Sequence, residues 1–212
     1  MKRGINKRLA SRWHTKILET VAVAILMACV MTPAAASEPN YCTGPGLGNN
    51  LVQNASFETG DFTNWTVAWP FSADQFFFVS PSNPFPGDTY DAWLGSVPGE
   101  NRISQVIQGT QQGMVYTVCF ELANDDACCA NSIEVHWNDY TLLHFVNSTG
   151  FGYTYFTFNV VANGANSDTL VFQVRQVPAF YHLDNVSVQL CTDPSCSFSF
   201  TPARPAGTKP KH

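Results

Sequence analysis

The chain of 212 residues is 45% hydrophobic and 13% aromatic, but only 13% of its residues are charged. Charged residues normally make up about a quarter of a globular protein, so Ser, Thr, Asn, Gln and Gly must form much of this surface. Such a composition is typical of exported β-proteins, and the length predicts one domain with extensions at its ends.

Residues 1–36 are predicted to be a signal peptide. Six basic residues precede the apolar run 17–31, and Ala34-Ala35-Ala36 offers a small-residue cleavage site. A membrane anchor is the alternative, but Glu19 interrupts the apolar stretch, which is shorter than the ~20 residues of a spanning helix. We therefore expect a bacterial protein that is secreted or periplasmic, with no membrane insertion after removal of the signal.

Removal of the signal changes the charge balance. Five basic and fifteen acidic residues remain, a formal charge of −10, and no cluster of Lys or Arg is left. Binding to phosphate groups requires such clusters, so nucleic acid is excluded as a partner.

Six cysteines remain after the signal. An even number in an exported chain favours disulfides, and six cysteines allow fifteen pairings. Cys42 and Cys191 flank the domain, so a bond that joins its two ends is one expectation. Cys128 and Cys129 are adjacent and are expected to have different partners; a metal site with Asp125-Asp126 is the alternative, without a second Cys or His pair at zinc spacing. The six are Cys42, Cys119, Cys128, Cys129, Cys191 and Cys196.

The mature chain divides into three parts. Residues 37–48 form a Gly- and Pro-containing lead-in, residues 49–191 form the domain, and residues 192–212 form a Pro-rich tail that is expected to be flexible. The domain shows no helical period.

Strict alternation of apolar and polar residues marks four segments of this domain. Period two in short runs separated by turn residues predicts antiparallel strands. Many such strands in one chain predict an all-β fold, an antiparallel β-sandwich or jelly roll. The segments are 116–122, 133–138, 155–160 and 170–175.

Aromatic residues are candidates both for the core and for ligand contact. Trp65 and Trp93 are expected in the core, and the run Phe76-Phe77-Phe78 must place a ring on each face of a strand. Trp69 and Tyr140 lie in turn-rich stretches, where an exposed ring can stack on the C–H face of a sugar; packing within the loops is the alternative.

Two segments at opposite ends of the domain carry a family resemblance. "NASFETGDF" (54–62) and "YHLDNVSVQ" (181–189) together resemble the galactose-binding-like jelly rolls of bacterial exported proteins, in particular CenC-type carbohydrate-binding modules of families 4, 9 and 22 and related domains of PEP-CTERM proteins. The similarity covers about residues 49–191. Because the tail contains no Pro-Glu-Pro sorting signal, we expect release from the cell instead of surface sorting.

The resemblance implies a structural calcium ion. In such modules, acids that match Glu58 and Asp184 hold the ion together with backbone carbonyls, and calcium prefers these oxygen ligands. Asp61 and Asn54 are further candidates for the same site. In the alternative, Glu58 caps a turn and Asp184 bonds nearby backbone amides.

No catalytic motif is present in the sequence. Glu121 and Glu134 are the best candidates for the two carboxylates of a glycosidase, but solvated positions paired with Arg175 or His136 explain them more simply. We therefore expect a non-catalytic carbohydrate-binding protein whose partner is a polysaccharide or glycan. A structural or adhesive domain without a small ligand is the alternative.

The polar faces of the alternating segments predict the ligand surface. Hydroxyl-rich sugars need hydrogen-bonding groups beside an aromatic ring, and these faces supply both. Binding by the loops that carry Trp69 and Tyr140 is the alternative. The predicted surface residues are Glu121, His136, Tyr155, Gln173 and Arg175.

Overall fold

The computed structural model describes residues 39–68, 76–82, 84–125 and 130–196. The signal peptide, Trp69, Cys128, Cys129 and most of the tail lie outside these ranges, so the expectations for them stay predictions. Nowhere in the described ranges is there a helix long and apolar enough to cross a bilayer.

The described ranges contain nine strands, and every pairing between them is antiparallel. The strands are β1 (Leu47–Asn50), β2 (Thr66–Ala68), β3 (Phe77–Pro81), β4 (Tyr90–Gln108), β5 (Val115–Asn124), β6 (Ser132–Trp137), β7 (Tyr140–Val146), β8 (Phe151–Val161) and β9 (Ser167–Cys191).

Two long strands, β4 and β9, each contribute to both layers of the fold. The first half of β9 pairs with the second half of β4 and with β6, and β2 and β7 complete this layer, which we call the back sheet. The second half of β9 pairs with the first half of β4 and with β5, and β3 and β8 complete the front sheet. The short strand β1 pairs with the end of β9.

The inner faces of the two sheets form one apolar core. The ring of Phe120 on β5 lies 5.2 Å from that of Phe172 on β9, and Phe145 on β7 lies 5.9 Å from Phe156 on β8. These contacts join the front and back sheets. The inward residues of the four predicted segments are largely the buried ones, so the predicted jelly-roll sandwich is confirmed.

The aromatic run at the start of β3 has rings on both faces, as predicted. Phe77 is buried in the core, whereas Phe78 lies on the outer face and stacks on Trp93 at 5.5 Å. Trp65 is buried as expected. The core prediction for Trp93 was wrong, because its neighbours Ala92 and Leu94 occupy the inward positions of β4.

The disulfides differ from the expected clasp between the two ends of the domain. Cys42 bonds to Cys119 in the middle of β5, and Cys191 bonds to Cys196. The clasp was wrong because the lead-in folds back over the front sheet, which brings Cys42 onto β5. The bond to Cys196 also ties down the first residues of the tail, where Thr192 N donates to the Gly46 carbonyl.

Candidate functional site

A pocket of about 480 Å³ opens on the outer face of the front sheet. Its volume lies within the roughly 300–1,000 Å³ of pockets that hold small ligands. Strands β4, β5, β8 and β9 and the loops beside them supply its walls. The lining residues are Ser82, Pro84, Asp91, Ala123, Asn124, Asp125, Gly150, Phe151, Gly152, Tyr153 and His182.

The carboxylate of Asp91 is buried beneath this pocket and accepts four hydrogen bonds. Its Oδ1 accepts from Ser82 Oγ at 2.6 Å and from Trp93 Nε1 at 2.7 Å. Its Oδ2 accepts from the Tyr153 hydroxyl and lies 3.0 Å from His182 Nδ1. Burial alone would raise the pKa of Asp91, but the bonds from His182, Ser82 and Tyr153 lower it overall. Asp91 is therefore held as a carboxylate that fixes its neighbours in place.

His182 connects this buried acid to the pocket mouth. Its Nε2 lies 2.9 Å from Asp125 Oδ1, in a contact that is an ion pair without good hydrogen-bond alignment. Burial opposes the charged imidazole, but Asp91 and Asp125 outweigh it and raise the pKa of His182. Asp125 is half exposed, so it offers its remaining acceptor capacity to a ligand.

Aromatic rings pack around the polar side chains of Asp91 and His182. The ring of Tyr153 lies 4.9 Å from that of Phe85 in an edge-to-face contact, and Trp93 packs edge-to-face on the His182 imidazole at 4.4 Å. The pocket therefore combines aromatic surface with a few fixed polar groups, the combination that small-ligand sites use.

The structure divides the predicted ligand residues between two opposite outer faces. Glu121 and Tyr155 are cross-strand neighbours on the front sheet. His136, Gln173 and Arg175 lie on the back sheet, on β6 and on the first half of β9. The prediction of one common surface was wrong. Gln173 and Arg175 lie on the first half of β9, in the back sheet, and β9 crosses to the front sheet only after them.

Tyr140, one of the two loop candidates, is not among the described residues that line the pocket. Tyr140 begins β7 in the back sheet and is 51% exposed, and Trp69, the other loop candidate, is outside the described residues.

Glu134 and its neighbours form a solvated cluster on the back sheet. His136 Nε2 lies 3.0 Å from Glu134 Oε2, and His144 Nε2 lies 3.2 Å from Oε1. Pairing with His136 was the simpler explanation that the sequence offered for Glu134. Glu121 lies on the opposite outer face, so the two glutamates cannot flank one glycosidic bond.

A second group of acids surrounds Asp184, which pairs in register with Glu121 on the front sheet. Asp184 is completely buried; its Oδ1 accepts from Asn185 N at 2.7 Å, and its Oδ2 has no hydrogen-bond partner. Burial, together with the charges of Asp88, Asp91 and Glu58, raises the pKa of Asp184 to about 9. A buried carboxylate without a partner among other acids is costly, so Asp184 stays protonated at neutral pH unless a cation binds nearby and displaces the proton.

The two other predicted metal ligands make turn contacts. Glu58 Oε1 accepts from Thr89 N at 2.8 Å and from Tyr90 N at 2.9 Å. Asp61 Oδ1 accepts from Thr59 Oγ1 and Thr63 N, both at 2.8 Å, so it stabilises its own turn. Within the described ranges, no three His, Cys, Asp or Glu side chains converge closely enough to hold a metal by themselves.

Sequence reasoning missed most of the pocket. Asp91, Tyr153 and His182 come from three strands far apart in the sequence, and only the strand register brings them together. The available signal was alternation: Asp91 alternates with the inward Ala92 in "YDAWL", as His182 does with Tyr181 in "YHLD", which marks them as outer-face residues.

Comparison with known proteins was made by sequence and by structure. No protein-family model matches the sequence, and no curated protein matches it. The carbohydrate-binding module TmCBM61, solved with β-1,4-galactotriose, superposes with a TM-score of 0.52 at 19% identity, over 66% of this chain and 98% of that one.

Two further solved structures have similar scores. The tandem CBM22-1–CBM22-2 domain of Paenibacillus barcinonensis Xyn10C gives a TM-score of 0.51 at 15% identity, over 72% of this chain and 48% of that one. The enzymatically active domain of bacteriophage CBA120 tailspike protein 4 gives 0.53 at 15% identity, over 66% of this chain. This chain spans only 21% of the tailspike chain.

These similarities show the fold. The chain has the jelly-roll sandwich of carbohydrate-binding modules, which confirms the resemblance found in the sequence.

Proposed function

We propose that this chain is a secreted, non-catalytic glycan-binding domain whose ligand occupies the pocket on the front sheet. The observation that carries the proposal is the pocket itself, where aromatic rings and the fixed polar groups Asp125, His182 and Ser82 meet. The fold is shared with TmCBM61, which was solved with β-1,4-galactotriose, and this supports a glycan as the ligand class.

The chemistry of the pocket suits a sugar. The ring of Tyr153 can pack against pyranose C–H groups, while the Asp125 carboxylate can accept hydrogen bonds from hydroxyl groups. The donors around Asp91 are already used within the protein, so this acid positions the site and does not contact the ligand.

Export is part of the proposal. The disulfides Cys42–Cys119 and Cys191–Cys196 are typical of an oxidising compartment, and the predicted signal peptide would deliver the chain to it.

A structural calcium ion beside Asp184 is also part of the proposal. The partnerless Asp184 Oδ2 and the partnerless Asn185 Oδ1 are both buried, and Glu58 and Asp88 lie close enough to shift the pKa of Asp184. Such an oxygen-rich, acidic group fits calcium, which takes carboxylate, amide and carbonyl oxygens and water together. The ion would be held by Asp184, Glu58 and Asn185 with backbone carbonyls, and it would neutralise the buried charge.

The test of function is a titration of the native protein against a panel of glycans that includes β-1,4-galactotriose. The variant Asp125→Ala removes a half-exposed carboxylate at the pocket mouth, so it should weaken binding about tenfold, the equivalent of one ~1.4 kcal/mol contact. Glu134→Ala removes a matched carboxylate on the back sheet and should leave binding unchanged. Absence of binding by the native protein would instead support a structural or adhesive domain.

A further inference from the structure

The outer face of the front sheet is crossed by a segment that we call the strap, residues 39–46. Its Cys42 is bonded to Cys119 on β5, with the Cα atoms 5.5 Å apart. Cys42 N donates to Gln189 Oε1 on β9 at 3.1 Å, and Thr43 N donates to the Tyr155 hydroxyl on β8 at 3.3 Å. The strap therefore crosses three adjacent strands and is fixed to each of them.

Polar outer-face residues are buried beneath the strap. Ser187 is fully buried, Gln189 is 1% exposed and Thr117 is 6% exposed, although all three lie on the outer side of the front sheet. A ligand cannot reach this end of the face while the strap is in place.

A second segment, the covering loop of residues 84–89, closes the middle of the same face. Its Phe85 contacts Tyr153 on β8, and its Asp88 lies beside the Asn185 side chain on β9. Asp91 and Asp184 are completely buried, although they too lie on the outer side of the sheet. The loop therefore reaches from the β3 edge across to β8.

What remains accessible is the end of the face furthest from the strap. Cys119 and Ala123 are four residues apart on β5, roughly 13 Å along a strand, and the pocket begins at Ala123. The mouth lies beside Gly150, Gly152 and the half-exposed Asp125. The site is therefore a pocket at the rim of the sandwich and not a groove along the sheet.

We propose that the strap and the covering loop restrict this site to the end of a glycan chain or to a short oligosaccharide, and exclude the internal units of a long polysaccharide. An internal unit continues in two directions, and a chain that follows the sheet from the pocket would meet the covering loop and then the strap. A terminal unit needs only one exit, which the mouth provides. This inference rests on the proposed glycan-binding function.

The experiment compares binding stoichiometry on chains of increasing length by isothermal titration calorimetry. The probes are size-fractionated β-1,4-galactan, β-1,4-xylan and mixed-linkage glucan, each with its own trimer to hexamer. For a polymer that binds, the number of proteins per polysaccharide chain should stay constant as the chain lengthens. Stoichiometry that grows in proportion to chain length would overturn the inference and leave the glycan-binding function standing. No binding to any probe would overturn both.

Two paired variants test the strap directly. Cys42→Ser with Cys119→Ser releases it, whereas Cys191→Ser with Cys196→Ser breaks the other disulfide as a matched control. Because the covering loop also closes the path, strap release is combined with Phe85→Ala, which removes the loop's contact with Tyr153. This combined variant should bind more copies per long chain, and the disulfide control should match the native protein. A combined variant that still binds the same number per chain would overturn the role of the two segments. If release prevents folding, the length series on the native protein still decides between chain ends and internal units.

Discussion

The two outer faces of this sandwich carry polar residues in the same alternating pattern, but they differ in access to solvent. On the back sheet, Glu134 is paired with two histidines and remains partly solvated. On the front sheet, Asp91 and Asp184 are completely buried under segments from outside the sheet. A polar residue on the outer face of a strand therefore belongs either to the solvent-exposed surface or to the binding site. Which of the two it is depends on whether other segments of the chain cover that face.

The largest expected difference between the faces concerns stability. Asp91→Ala leaves the donors of Ser82, Trp93 and Tyr153 and the buried His182 without their acceptor, which should lower the free energy of unfolding by about 3–5 kcal/mol. Glu134→Ala on the solvated face should cost no more than about 1 kcal/mol. Urea unfolding of both variants measures the difference, and equal losses would contradict the contrast between the faces.

Calcium should stabilise the front sheet specifically. If it binds only the folded protein, free calcium at a hundred times its Kd should add about 2.7 kcal/mol to the free energy of unfolding. Chelation should lower the Tm, and Asp184→Asn or Glu58→Gln should abolish this response. Asp61→Asn is the control and should keep it, because Asp61 serves its own turn. A melting curve that chelator does not change would contradict the proposed calcium site.

Acid should destabilise the fold through a carboxylate outside the pocket. Asp168 accepts from Thr110 Oγ1 and Asn138 Nδ2, both at 2.5 Å, and from two backbone amides. Burial would raise its pKa, but these bonds lower it overall. Asp168 therefore contributes its full stabilisation of the folded state above its unfolded-state pKa of about 3.9. This contribution is lost as the pH falls below that value.

Asp168→Asn should remove about 1.5–3 kcal/mol at neutral pH and flatten the acid limb of the stability curve. The exposed neighbour Asp139 provides the control, and Asp139→Asn should leave that limb unchanged. Glycan affinity at neutral pH should not change in either variant, which separates the stability of the fold from the function of the front sheet. An acid limb of unchanged steepness in Asp168→Asn would show that other carboxylates dominate.

The smallest expected effect is on the back sheet. Gln173→Ala with Arg175→Ala should leave glycan affinity within about twofold of the native value, less than ~0.5 kcal/mol, because both residues lie on the face opposite the pocket. Tyr155→Ala, which removes the hydroxyl that holds the strap, is the front-sheet variant with which the back-sheet variant is compared. A loss of affinity in the back-sheet variant alone would move the ligand site to that face.

Much of the fold could be predicted from the sequence, because alternate residues of a strand face the core and the solvent and are correspondingly apolar and polar. Tyr116, Phe120 and Leu122 alternate with more polar residues, and all three are in the core. Phe77 and Phe78 similarly required two apolar environments, one inside and one outside the sandwich. The paired end motifs then indicated the jelly roll, and the solved structures share that fold.

Alternation could not decide which sheet each strand joins. Tyr155 and Arg175 have equivalent positions in their patterns, yet they lie on opposite outer faces because β9 serves both sheets. The disulfide partners were equally undetermined, since the reach of Cys42 to Cys119 depends on the path of the strap.

The sequence by itself therefore determined the β class, most of the inward residues and the acids that interrupt the end motifs, because these follow from local periodicity and residue chemistry. Only the tertiary structure decided that Asp91, Tyr153 and His182 share one pocket and that the strap and the covering loop close the rest of the face. Such contacts join residues far apart in the sequence, and their energy depends on register and burial, which no local pattern encodes.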